Sequence, residues 1–102
     1  MIRVALVVSL LTILLSPSAR AAGDAVFGKD LATTWCSACH QMEGNSNTAA
    51  DGAPPFAAMA RDPKVSPDRL RAFLVKPHGQ MPELNLTRQE IENLVAYIES
   101  LK

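Results

Sequence analysis

The chain has 102 residues, of which 48% are hydrophobic, and its ten basic residues balance its ten acidic ones. This length allows one small domain, whose core alone is too small to be generous. The absence of a basic excess excludes nucleic acid as an expected partner.

The first 21 residues have the pattern of a secretory signal peptide. A short basic start at 1–3 precedes an apolar run from Val4 to Leu15, and Ala19-Arg20-Ala21 supplies an A-x-A cleavage site. The run is shorter than the roughly 20 residues that a spanning helix needs. We therefore expect cleavage after Ala21 rather than a retained membrane anchor, with 22–102 as the single mature domain.

The first predicted helix follows that site. Asp24 is a suitable N-cap, and the helix should run to about residue 35. Phe27, Leu31, Ala32 and Trp35 share one helical face, which we expect to point inward. Gly28 lowers helix propensity and is expected to mark a close backbone approach.

The sequence Cys36-Ser37-Ala38-Cys39-His40 is the C-x-x-C-H signature of covalent c-type haem attachment. Two thiols three residues apart can bond to the two vinyl groups of one haem, and the adjacent imidazole can ligate its iron. A zinc site, a redox dithiol and a disulfide are the alternatives. The histidine that follows the second cysteine favours haem.

Loops and further helices fill the rest of the chain. Residues 41–55 are rich in glycine, asparagine and proline and predict a loop, and 56–61 predict a short helix. Ser66 and Pro67 should open a helix ending at about Leu74. A proline-rich loop at 76–82 follows. The capping box at 87–90 then begins a last helix that should reach the C-terminus.

Taken in order, these motifs resemble a class I monohaem cytochrome c of the small bacterial type. The matching features are the first helix, C-S-A-C-H, a glycine-rich loop, P-P-F, Met81-Pro82 and a final helix. The resemblance implies an all-α cytochrome c fold, with three to five short helices around one covalently attached haem c. Its first and last helices should cross, with Gly28 and Tyr97 at the crossing. The chain departs from mitochondrial members because its single tryptophan, Trp35, lies beside the attachment motif.

The expected iron ligands are His40 and Met81. Met81 lies in a loop between two helices, whereas Met42 is too close to His40 and Met59 is expected in the core. His78 is the competing ligand, although we expect an exposed loop histidine. By resemblance, the Pro54 carbonyl should orient His40, and Phe56 should pack on the haem.

These features predict an electron carrier without catalytic activity of its own. The chain is expected to be a soluble periplasmic monomer that shuttles single electrons between redox proteins, with no stable membrane insertion after cleavage. The alternative is a dedicated cytochrome subunit docked to a periplasmic dehydrogenase or reductase. A haem enzyme or gas sensor would need an open sixth position on the iron, which a His/Met pair does not leave.

Overall fold

The computed structural model describes residues 22–42, 53–76 and 78–102. Helices α1 (Ala25–Trp35), α2 (Phe56–Arg61), α3 (Pro67–Val75) and α4 (Arg88–Glu99) form the described part of the chain. No strand occurs within those ranges, so the expected all-α fold is confirmed. The expected signal peptide and most of the glycine-rich loop lie outside the described residues.

Side-chain caps explain where three helices begin. The Asp24 carboxylate accepts hydrogen bonds from the amides of Val26 and Phe27 at 2.8 and 3.2 Å. The Ser66 hydroxyl accepts the Arg69 amide at 3.1 Å, with proline in the first turn of α3. The capping box at the start of α4 is also present. These predicted starts are confirmed, whereas α4 ends at Glu99 and the chain finishes in a turn.

Helices α1 and α4 are in close contact at Gly28, which has no side chain. A Cβ atom on Gly28 would overlap the backbone carbonyl of Asn93 and would lie 2.9 Å from the Cβ of Tyr97. The Asn93 side chain also accepts the Asp24 amide at 2.8 Å. The predicted contact at Gly28 and Tyr97 is therefore confirmed, and α1 can approach α4 only because position 28 has no side chain.

The predicted inner face of α1 is wrong for its two aromatic residues. Phe27 and Trp35 are 64% and 61% exposed, whereas Gly28, Ala32 and Cys36 are buried. These three positions, spaced four apart, form one stripe that ends at the C-cap residue Cys36, and the inward prediction is confirmed for Ala32. Small side chains allow the closest packing against α4, so this stripe turns inward and the aromatic rings turn outward.

Helix α4 supplies half of the buried hydrophobic residues in the described part of the chain and is bonded to α3. Its buried residues share one face and are Ile91, Leu94, Val95, Tyr97 and Ile98. Arg71 of α3 donates two hydrogen bonds to the Glu92 carboxylate, at 2.9 and 3.0 Å. These bonds hold the pKa of Arg71 above its ordinary value, so the ion pair stays charged. None of the described helices is long and apolar enough to cross a membrane.

Candidate haem-binding site

The attachment motif forms one compact turn at the end of α1. The Cys36 amide donates to the Ala32 carbonyl at 2.8 Å and so continues the helical pattern. The amides of Cys39 and His40 then both donate to the Cys36 carbonyl, at 3.2 and 2.8 Å. This turn buries Cys36 and His40, whereas Cys39 remains exposed.

The His40 ring is held in one orientation by the chain that follows it. Its Nδ1–H donates to the Pro54 carbonyl oxygen over 2.8 Å. A carbonyl can only accept, so the ring proton lies on Nδ1 and the Nε2 lone pair is left for a metal. The Phe56 amide donates to the Gln41 carbonyl at 3.0 Å, and the Phe56 and His40 ring centroids are 5.0 Å apart. Residues 54–56 therefore fix the position and orientation of the His40 imidazole.

A cavity of about 350 Å³ opens beside this histidine. Five of the six residues predicted for the site line it: Cys36, His40, Pro54, Phe56 and Met81. Cys39, the sixth, is not part of the lining, because the turn places it at the surface. The competing ligand His78 also lines the cavity.

Most of the remaining lining was not singled out in the sequence as part of a site. It consists mainly of apolar side chains from α2, α3 and α4, namely Ala58, Met59, Leu70, Phe73, Leu74, Leu94 and Ile98, together with Asp62 and Val65 from the connection between α2 and α3. Their helical spacing predicts an inner face but cannot distinguish a packed core from a wall around a ligand. Met59, expected as core, contributes to both.

The Cys36 thiol does not have the lowered pKa that the attacking sulfur of a redox dithiol needs. Burial raises the pKa of the Cys36 thiol, and the neighbouring Cys39 raises it further. A reactive dithiol needs the opposite shift for its attacking sulfur. The two cysteines are not joined to each other in a disulfide. Within the described ranges, no three His, Cys, Asp or Glu side chains are grouped to hold a metal ion.

Comparison with known proteins agrees with this geometry. Residues 21–98 match the sequence profile of the family described as cytochrome C oxidase, cbb3-type, subunit III. The chain is also 41% identical over 87 residues to cytochrome c-552 of Bradyrhizobium diazoefficiens, covering 85% of this chain and 84% of that protein. No solved structure matches the chain.

The chain therefore belongs to this family of c-type cytochromes. It is a small monohaem cytochrome that carries covalently bound haem c and serves as an electron carrier, and its partners are redox proteins. The residues that line the cavity, together with the exposed Cys39 beside it, fit that cofactor. Two thiols are spaced for two thioether bonds, one histidine has its Nε2 available, and apolar walls suit a porphyrin.

Proposed function

We propose that this chain is a periplasmic one-electron shuttle whose haem iron is ligated by His40 and Met81. In this proposal, Cys36 and Cys39 form the two thioether bonds. The observation that carries it is the hydrogen bond from His40 Nδ1 to the Pro54 carbonyl, on a ring that lines one cavity with Met81. This hydrogen bond supports His40 as a nitrogen ligand of fixed orientation, and the shared cavity supports Met81 as the sulfur ligand.

The protein's own residues keep such a site rigid and dry. The Pro54 carbonyl fixes the tautomer and the angle of the imidazole, while Phe56, Leu94 and Ile98 present apolar surface to the cavity. The bound haem supplies an iron that can gain and lose one electron. A histidine and a methionine together occupy both axial positions, so the protein needs little rearrangement during transfer and offers no site to a substrate.

Three side chains on the cavity wall compete for the position across from His40. Met59 belongs to α2 and packs against the hydrophobic core, and His78 is exposed. Met81 is half-buried in the loop between α3 and α4, and its amide donates to the His78 carbonyl at 3.0 Å. We favour Met81, because its side chain is not required by the core and its backbone is fixed by a turn.

The test is the weak red-edge absorption that sulfur-to-iron charge transfer gives in an oxidised His/Met cytochrome. Met81→Ala should abolish this band and lower the reduction potential, because a thioether ligand raises the potential. Met59→Leu provides the matched control, since it removes the other thioether of the cavity wall at similar volume. That variant should retain the band. Difference absorption spectra of the oxidised proteins give the answer.

His78→Ala completes the set of three variants. It should leave the band in place and change the potential little. A band that survives Met81→Ala but disappears with Met59→Leu would transfer the ligand role to Met59. An absent band in the wild type, with ligation lost on changing His78, would overturn the His/Met assignment altogether.

A second candidate function is a dedicated subunit of a larger redox enzyme. The description of the matching family, which names an oxidase subunit, favours this alternative. Native purification separates the two functions. A shuttle elutes alone as a monomer at its own molecular mass, whereas a subunit elutes with its enzyme.

A further inference from the structure

The second of the chain's two histidines lies at the wall of the cavity without a role in the proposed site. His78 is on the loop between α3 and α4 and lines the cavity together with His40 and Met81. It is exposed. An imidazole at such a site is a nitrogen donor that needs only access to the iron to become a ligand.

A tight turn couples His78 to Met81. The Met81 amide donates to the His78 carbonyl at 3.0 Å, and between them Gly79 has φ +55°, which glycine adopts without strain. A Cβ atom on Gly79 would meet no other atom within 4 Å. The tip of the turn is therefore not packed against the helices, and a change in its dihedral angles can exchange which side chain reaches inward.

Helix α3 keeps the His78 ring close to the cavity. The His78 and Phe73 ring centroids are 5.0 Å apart, and the Arg69 guanidinium carbon lies 5.4 Å from the centroid of Phe73. Phe73 itself lines the cavity. The exposed imidazole thus rests against an aromatic residue of the cavity wall.

We propose that His78 is a reserve axial ligand, which binds the haem iron when the Met81 thioether is absent or displaced. The inference rests on the proposed function, because it takes Met81 as the resting ligand. Imidazole lacks the potential-raising effect of the thioether, so the state with His78 bound should have a lower reduction potential. It also closes the position to carbon monoxide.

The experiment compares two holoprotein variants at one pH near neutrality. Met81→Ala should give a low-spin ferric haem by electron paramagnetic resonance, with the signals of two nitrogen ligands. Met81→Ala/His78→Ala should instead be high-spin and should bind carbon monoxide readily when reduced. If His78 occupies nine-tenths of the reduced Met81→Ala molecules, their apparent affinity for carbon monoxide falls about tenfold below that of the double variant.

The matched control is Met81→Ala/Lys76→Gln, which removes another exposed nitrogen donor near the same loop. It should stay low-spin. Equal spin states and equal carbon monoxide affinities in Met81→Ala and Met81→Ala/His78→Ala would overturn the proposal, as would a change to high-spin only when Lys76 is removed. These outcomes are separate from the charge-transfer band, whose loss in Met81→Ala and retention in Met59→Leu tests the resting ligand.

A second measurement avoids any change at Met81 in case that variant does not fold. Wild type and His78→Ala are titrated with guanidinium chloride while the charge-transfer band and the spin state are followed. Once the band is lost, wild type should pass through a low-spin state before the helices unfold, and His78→Ala should pass directly to high-spin. Identical titrations would contradict a reserve role for His78.

Discussion

The Glu90 carboxylate closes the capping box at the start of α4. It accepts the Thr87 amide at 2.7 Å, and the Glu90 amide donates back to the Thr87 hydroxyl at 3.2 Å. Hydrogen bonding of the carboxylate to the Thr87 backbone amide, and secondly to the Thr87 side chain, lowers the pKa of Glu90. A carboxyl group whose pKa is lower in the folded state stabilises the fold above its unfolded pKa, and this contribution is lost as the pH falls through the folded pKa.

Glu90→Gln should therefore reduce the acid sensitivity of the protein. The concentration of urea at the wild-type unfolding midpoint should decrease as the pH is lowered below the ordinary glutamate pKa of about 4.3. The variant should lose less below this pH, because its amide cannot titrate. Glu83→Gln removes an exposed loop carboxylate and should keep the wild-type slope. Parallel curves for wild type and Glu90→Gln would show that the capping carboxylate has no part in acid unfolding.

At the scale of elements, the contact between α1 and α4 depends on Gly28. Gly28→Ala should destabilise the protein by about 1–3 kcal/mol, because the new methyl group overlaps the Asn93 carbonyl and the helices must move apart. Urea unfolding followed by circular dichroism measures the loss. Thr34→Ala, on the exposed side of the same helix, should change stability by no more than about 0.5 kcal/mol. A Gly28→Ala variant as stable as Thr34→Ala would show that the helices are not in tight contact there.

The sequence predicted the helix starts better than it predicted which face of α1 is buried. Asp24, Ser66 and Thr87 act within their own helix turns, so short-range patterns suffice to find them. The orientation of α1 depends on the shape of α4 across the contact, and hydrophobic spacing alone favoured the exposed residues Phe27 and Trp35.

The same distinction applies to the site. Cys36, Cys39 and His40 are recognisable from local spacing, since they share one turn. The bond between His40 and Pro54 spans fourteen positions and was expected only from a family resemblance; its geometry is now visible. Leu70 and Leu94 belong to separate helices and line the same cavity. A local sequence pattern cannot predict that they lie next to each other.

At the scale of the whole molecule, the proposed export and the attachment of the cofactor should both be visible in the mass of the protein. The holoprotein from the periplasmic fraction should begin at Ala22, within a residue or two, and should retain one haem after denaturation. Intact-mass spectrometry in acidified organic solvent measures both properties. Cytoplasmically expressed chain without the haem-attachment machinery is the control and should lack the added mass. A full-length N-terminus in the membrane fraction would indicate a tethered cytochrome, and complete extraction of haem would contradict the thioether bonds.

The Arg71–Glu92 ion pair has a consequence for how this protein can evolve. It ties α3 to α4, so the segment 76–87 between them starts and ends on helices that are linked to each other. Doubling the length of such a closed segment costs only about 0.6 kcal/mol in closure entropy. The segment should therefore tolerate changes of length and sequence without loss of the fold. If Met81 of this segment ligates the iron as proposed, insertions and substitutions within it would change the electronic character of the iron while the helices, and any partner surface that contacts them, remain unchanged.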